Sequence, residues 1–222
     1  MSEKEFTYAH RDTSSPERVS RTAGLNRVKL SDRVASLRRS ANEREVPVAD
    51  DETLGFLLTL ARAVNAESIL EVGCAEGVTS LALLEECGGA HLTAIERDGN
   101  FYAAAEGNLK EYADRVTLLF GDANELLPTL GDCAYDFIFL DCAKVQYVKL
   151  LPHLKRVLKV GGALLADDVL LYGWVNGEAE TPKKRRMFVE HIREYLTAVT
   201  NDGELRTSVL DIGNGLALSV KS

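Results

Sequence analysis

No apolar stretch in this 222-residue chain approaches the roughly 20 residues needed to cross a bilayer. The first residues, MSEKEFTYAHRD, carry no hydrophobic segment of the kind that directs secretion. Neither a membrane protein nor an exported one is expected, and the reading is cytoplasmic. Cysteine is sparse. Cys74, Cys87, Cys133 and Cys142 show no C-x-x-C spacing and no disulfide-like density, which suits a reduced compartment where the thiol packs as a small hydrophobe. Positive charge is in deficit as well: the net charge of −8 argues against non-specific nucleic-acid binding by the body of the protein. Internal repeats and low-complexity tracts are absent, and no His/Ser/Asp constellation marks a nucleophilic hydrolase.

What remains is the composition of one soluble α/β domain, with 45% hydrophobic and 27% charged residues. The charge is unevenly spread. Residues 16–45 hold eight Lys/Arg (Arg18, Arg21, Arg27, Lys29, Arg33, Arg38, Arg39, Arg44) against four acids, which is +4 there and −12 elsewhere. A second basic run, Lys183-Lys184-Arg185-Arg186, opens a late helix. Such runs are usually solvated helix faces, and an anionic partner such as RNA is the alternative.

Residues 1–20 read as mobile, with Thr13-Ser14-Ser15-Pro16 as a loop signal. Ser31-Asp32 caps a helix through about Ser40, Val46-Pro47-Val48 is extended, and Asp50-Asp51-Glu52 opens a helix to about Val64. The chain thus divides into a flexible or helical basic leader, 1–45, and a catalytic domain, 46–222. From Ser68 onward, strands are predicted near 68–72, 91–96, 116–120, 135–140 and 161–167. Helices are predicted near 78–87, 99–112, 124–130, 145–159 and 183–198. This alternation implies a mostly parallel sheet. The ending departs from it: β-prone runs flank Gly213-Asn214-Gly215 and predict a C-terminal antiparallel hairpin.

The segment SILEVGCAEGVTS, residues 68–80, organises the rest. Strand, glycine loop and helix present backbone N–H groups and a positive helix end to a ligand. Its E-x-G-x-x-x-G spacing, from Glu71, Gly73 and Gly77, is not the glycine triplet of the dinucleotide fingerprint. Ligands in open α/β sheets sit beyond the carboxyl ends of the strands. Standing there are Glu71, Gly73 and Thr79; then Glu96; then Asp122 and Ala123; then Asp141 and Lys144; then Asp167 and Asp168. Glu96 is placed to bond ribose hydroxyls, and Asp122 beside small Ala123 to read an adenine amino group. Asp141, Asp167 and Asp168 bring three carboxylates to one spot, where their repulsion calls for a cation. All-oxygen ligands suit Mg²⁺, Mn²⁺ or Ca²⁺ rather than zinc. Lys144 can place an ammonium there, or serve as a base if burial lowers its pKa. Tyr172 and Trp174 can wall a flat substrate, and Cys142 reads as structural.

These motifs resemble the class I S-adenosylmethionine-dependent methyltransferases. More narrowly they are similar to the cation-dependent O-methyltransferases that include caffeoyl-CoA and catechol O-methyltransferases, over about residues 46–221. The resemblance implies a Rossmann-like sheet with N-terminal helices added. It places Glu71 near the cofactor's amino group, Thr79 where that family generally has a carboxylate-binding Ser, and Ala49 on the cofactor pocket. Glu96 becomes the ribose acid, Asp141 and Lys144 the catalytic pair, and Asp141, Asp167 and Asp168 the Mg²⁺ ligands. Two departures stand out: Asp168 where relatives usually have Asn, and Glu76 inside the glycine loop. The Arg-rich leader, the YDFIFLDCAKVQY phrasing and the KKRR run look most like the bacterial branch that includes the tRNA 5-hydroxyuridine methyltransferases. By that resemblance the leading substrate is 5-hydroxyuridine at the tRNA wobble position, with a small catechol or phenol as the alternative and a homodimer as the assembly. Two readings from other classes are a nicotinamide oxidoreductase, which would leave the three aspartates without a role, and a cofactor-binding scaffold without catalysis.

Overall fold

The computed structural model describes residues 28–222. The mobile segment expected over residues 1–20, and with it Arg18, Arg21 and Arg27, lies outside the described residues. Two helices come first, α1 (Asp32–Glu43) and α2 (Asp51–Ala63). The Ser31 hydroxyl caps α1 by accepting from the Val34 amide, and the Asp50 carboxylate caps α2 by accepting from the Thr53 amide.

Alternating units follow: β1 (Ser68–Val72), α3 (Val78–Glu86), β2 (His91–Glu96), α4 (Gly99–Leu109), β3 (Val116–Phe120), α5 (Ala123–Leu126), β4 (Tyr135–Leu140), α6 (Tyr147–Val157) and β5 (Leu158–Ala166). The chain closes with α7 (Arg186–Asn201), β6 (Leu205–Leu210) and β7 (Leu216–Lys221). The seven strands make one sheet in the order β3-β2-β1-β4-β5-β7-β6. The first five are parallel, while β7 pairs antiparallel with both β5 and β6.

Alternation along the central strands divides the core in two. Leu70, Val72, Ile138 and Leu140 face the cluster formed with α6 and α7. Ile69, Phe137 and Phe139 face the opposite cluster, made with α1, α2, α3 and α4. Each such side chain, fully buried, contributes about 1.5–3 kcal/mol, so the inner strands are held from both sides. The sheet begins with β1 at its centre, grows outward through β2 and β3, then returns to the other side with β4. That reversal opens a crevice between the carboxyl ends of β1 and β4.

Several boundaries differ from expectation: α5 ends at Leu126 instead of near 130, and α7 begins at Arg186 instead of near 183. β5 starts at Leu158 instead of near 161, and α6 ends two residues short of the expected 159, at Val157. A register shift between Tyr135 and Phe137 and the left-handed Gly161 (φ +78°) absorb the extra strand residues. Among the described residues no helix is long and apolar enough to cross a membrane.

Candidate active site

The close approach of β1 and β4 fixes the floor of the crevice. Gly73 follows β1 with φ +92°, and a Cβ built there would lie 2.3 Å from the Asp141 carbonyl oxygen. Only glycine lets the two strand ends come this near. Across the next pairing, Leu140 is in register with Ala166, so Asp141 and Asp167 leave adjacent strands side by side. The Asp167 amide donates to the Leu140 carbonyl at 3.0 Å.

Asp141, Asp167 and Asp168 each offer a carboxylate oxygen, all within 4.8 Å of one another. Asp167 is only 4% exposed, and burial, with Asp168 and Asp141 adding to it, holds its carboxyl well above the usual carboxylate range. It accepts from the Asp168 amide at 2.7 Å and lies 3.5 Å from the Thr53 hydroxyl. Asp168 sits in the left-handed region at φ +58°. Lys144 is the cation among them: its ammonium lies 2.8 Å from Asp141 and 3.2 Å from Asp168, and donates to the Tyr147 hydroxyl at 3.0 Å. Burial pushes this ammonium toward losing its proton, but Asp141 and Asp168 more than offset that, and the pKa stands well above the ordinary lysine value. Tyr147, fully buried, lies 2.9 Å from the Leu140 carbonyl and 3.1 Å from that of Asp167, so it ties the lysine to both strand ends. Three carboxylates facing one ammonium, with hard oxygen donors converging, fit a divalent cation of the Mg²⁺ type.

Ala49, Glu71, Gly73, Thr79, Glu96, Ala123, Asp141, Lys144 and Asp168 all line one cleft of about 260 Å³. Glu71 is buried beneath it and accepts from the Ser80 hydroxyl. Burial pushes its carboxyl up to about 8; the Ser80 bond opposes this, and Asp141 and Glu96 add to it. Glu96 accepts from the amides of Arg97 and Asp98 at 2.8 Å through one oxygen and from Ala75 at 2.9 Å through the other. Loop and strand end are thereby locked together. Asp122 stands differently. Its carboxylate caps α5, accepting from the Asn124 amide and side chain, with Arg97 at 3.8 Å, while its neighbours Gly121 and Ala123 line the cleft. Burial alone would raise the Asp122 carboxyl, and these bonds bring it below the usual range. Burial pushes the Cys142 thiol up to about 12, which disfavours its thiolate.

Two features of the site escaped sequence reasoning. Glu76, 5% exposed on the cleft wall, is gripped by both terminal nitrogens of Arg44, just past α1. Arg38 of α1 donates to the Ala49 carbonyl at 2.6 Å and pairs with Asp51. The leader helix therefore braces two sides of the cleft. The acid in the glycine loop was visible in the sequence, but its partner, 32 residues earlier, carried no local signal.

Comparison with known proteins bears on this arrangement. The sequence model of the O-methyltransferase family matches residues 26–222. The chain belongs to that family. It is therefore a transferase of the O-methyltransferase class. Tapetum-specific methyltransferase 1 of Arabidopsis thaliana is 31% identical over 196 residues, 84% of this chain and 82% of that protein. The caffeoyl-CoA O-methyltransferase of Populus kitakamiensis is 30% identical over 191 residues, 81% and 79% of the two chains. Among solved structures, a Staphylococcus aureus protein provisionally assigned as a caffeoyl-CoA O-methyltransferase superposes with a TM-score of 0.79 at 32% identity, over 87% and 93% of the chains. The Podospora anserina methyltransferase PaMTH1 shares the fold at a TM-score of 0.80 and 22% identity, over 89% and 91%.

Proposed function

We propose that this O-methyltransferase uses S-adenosylmethionine and a divalent cation to methylate a hydroxyl that neighbours a second oxygen. The observation carrying the cation dependence is the convergence of Asp141, Asp167 and Asp168 with Lys144 as their counter-charge. A cation of the Mg²⁺ type held there supplies Lewis acidity, which lowers the pKa of a hydroxyl toward neutrality. The sulfonium donor supplies the methyl group. In the transfer an S–CH₃ bond would break with its electron pair staying on sulfur while an O–CH₃ bond forms, the hydroxyl proton passing to solvent water. The chain's own work is positioning. With the donor bound, Glu71 would face its ammonium, Thr79 its carboxylate and Glu96 its ribose, while Ala49 and Ala123 would leave room for it.

Glu71 makes the donor's arrival visible as a proton. A carboxyl raised from 4.5 to about 8 is mostly neutral at pH 7 in the ligand-free chain. An ammonium placed against it favours the ionised form. Binding of S-adenosylhomocysteine at pH 7 is therefore expected to release about one proton, with the release fading above about pH 9. Calorimetry in two buffers of different ionisation enthalpy measures it. The raised pKa has a second consequence. Its contribution to folding is whole below about pH 4.5 and is lost as pH rises through about 8, so bound cofactor should blunt the fall in melting temperature over that window.

A catechol offers two vicinal oxygens, and 5-hydroxyuridine offers its 5-hydroxyl and 4-carbonyl. The pairing of Arg33, Arg38 and Arg44 with Glu111, Asp51 and Glu76 of the same chain favours the small molecule. Lys183 to Arg186 beside the cleft favour tRNA as the second reading. The test is methyl incorporation from labelled S-adenosylmethionine, with and without Mg²⁺, into unmodified tRNA, tRNA bearing 5-hydroxyuridine, and catechol. Mg²⁺-dependent label in catechol is the expected result. Label confined to hydroxylated tRNA would establish the second reading, and silence in every tube would overturn both.

A further inference from the structure

Two arginines bear on the cleft from different parts of the chain. Of the basic run 183–186 only Arg185 lines it, beside Tyr172, Trp174 and Phe188. Arg44 acts on the end that holds the glycine loop, and it does so through an acid. Glu76 lies in that loop between β1 and α3, lines the cleft and is almost fully buried. A carboxylate so placed is costly unless it is paired. Both of its oxygens accept from the two terminal nitrogens of Arg44, fork to fork. The Arg44 side chain is itself half-exposed, and its Nε donates to the Ser40 carbonyl at 3.1 Å, which anchors the guanidinium to the last turn of α1.

The pair joins two segments that each line the cleft. Past Arg44 the chain turns at Glu45 (φ +58°), the Val46 amide donates to the Ala41 carbonyl at 2.9 Å, and Pro47, Val48 and Ala49 then run along the cleft. Residues 71–76 form the other segment. The glycine loop is also held from within the sheet domain: Glu96 accepts from the Ala75 amide, and the Asn108 side chain of α4 donates to the Glu76 carbonyl, both at 2.9 Å. Those bonds fix the loop's backbone to β2 and α4. The leader contributes a separate fastening, with Arg38 holding the Ala49 carbonyl and Arg44 holding Glu76. Glu71, 1% exposed, lies under the part of the cleft that α1 closes in this way.

We propose that Arg44 is a positioning residue for the methyl donor: acting through Glu76, it holds the leader segment 46–49 against the glycine loop and slows the donor's escape. This rests on the S-adenosylmethionine reading above. A donor seated against Glu71 leaves when the two segments part. Parting them strips a nearly dry carboxylate of its counter-charge, and that cost enters the barrier to dissociation. The effect falls on donor retention, while the chemistry at the three aspartates is untouched.

The experiment measures the dissociation rate of S-adenosylhomocysteine from the full chain by stopped-flow displacement with excess unlabelled ligand. Only molecules that hold ligand contribute, so an unfolded fraction drops out. Arg44→Ala is expected to raise the rate at least about tenfold. Adding Glu76→Ala to it should raise the rate no further, because the two side chains act as a unit. Arg44→Lys keeps the charge but loses the fork, and should fall between. Arg62 of α2 pairs with Glu86 at the far end of α3, 3.4 Å apart and outside the cleft, so Arg62→Ala should leave the rate unchanged. KM for S-adenosylmethionine should rise with kcat and Mg²⁺ affinity held, whereas a general loosening of the fold would lower both. A rate unmoved by Arg44→Ala, a rate raised equally by Arg62→Ala, additive single variants, or a matching loss of Mg²⁺ affinity overturns the proposal and leaves the methyltransferase reading standing. Failure of the wild-type chain to bind S-adenosylhomocysteine overturns the reading beneath it.

Discussion

Asp141→Ala is expected to lower kcat/KM for methyl transfer by at least about a thousandfold, or ~4 kcal/mol of transition-state stabilisation, with cofactor affinity changing only a few-fold. Asp141 is the hub of the site, since it contributes one of the three convergent carboxylates and lies closest to the Lys144 ammonium. Its removal leaves two oxygens' worth of ligands for the cation and takes away the largest interaction that keeps Lys144 charged. Donor contacts through Glu71, Thr79 and Glu96 remain. The measurement pairs steady-state kinetics with calorimetric binding of S-adenosylhomocysteine and of Mg²⁺. Full activity of the variant in the presence of EDTA would end the case for the metal.

That prediction could be framed before any coordinates, because parallel strands deliver their carboxyl ends to one edge. Period and loop signals therefore placed Glu71, Glu96, Asp141, Asp167 and Asp168 along a single line, and the structure sets them around one crevice. Long-range partners were not legible. The grip of Arg44 on Glu76 depends on how α1 packs against α3, which no local pattern encodes. Equally hidden was which of four adjacent basic residues, 183 to 186, turns inward, because the sequence shows charge without direction. The early start of β5 at Leu158 was missed because Gly161 and Gly162 resemble a turn, whereas the strand runs through them by way of a bulge.

Gly73→Ala should produce the second large effect, and Gly161→Ala calibrates it. Both glycines are left-handed, at φ +92° and +78°, so both pay about 1–2 kcal/mol for an added Cβ in that region. At Gly161 nothing lies within 4 Å of the new atom and the cost ends there. At Gly73 the Cβ would sit 2.3 Å from the Asp141 carbonyl oxygen and 2.9 Å from its carbon, which are backbone atoms at the exit of the inner strand β4 and cannot swing aside as a side chain can. Relief requires β1 and β4 to part at their carboxyl ends. We expect Gly73→Ala to lose at least about 3 kcal/mol of stability, a fall in melting temperature of about 6–12 °C at 2–4 °C per kcal/mol, and cofactor binding with it. Thermal unfolding and calorimetry on the two variants side by side check this. A fall for Gly73→Ala no larger than that for Gly161→Ala would mean the strand ends have more give than the packing implies.

The ion pairs of α1 carry a consequence for any polyanion that approaches this face. Five basic residues of the leader are described, Lys29, Arg33, Arg38, Arg39 and Arg44, and three of them already face a carboxylate of the same chain. A phosphate reaching Arg33, Arg38 or Arg44 must first displace that carboxylate, so little electrostatic free energy is gained. The counterions shed by a nucleic acid on meeting these residues are then set by Lys29 and Arg39, about two instead of five, and the salt dependence of such binding shrinks in proportion.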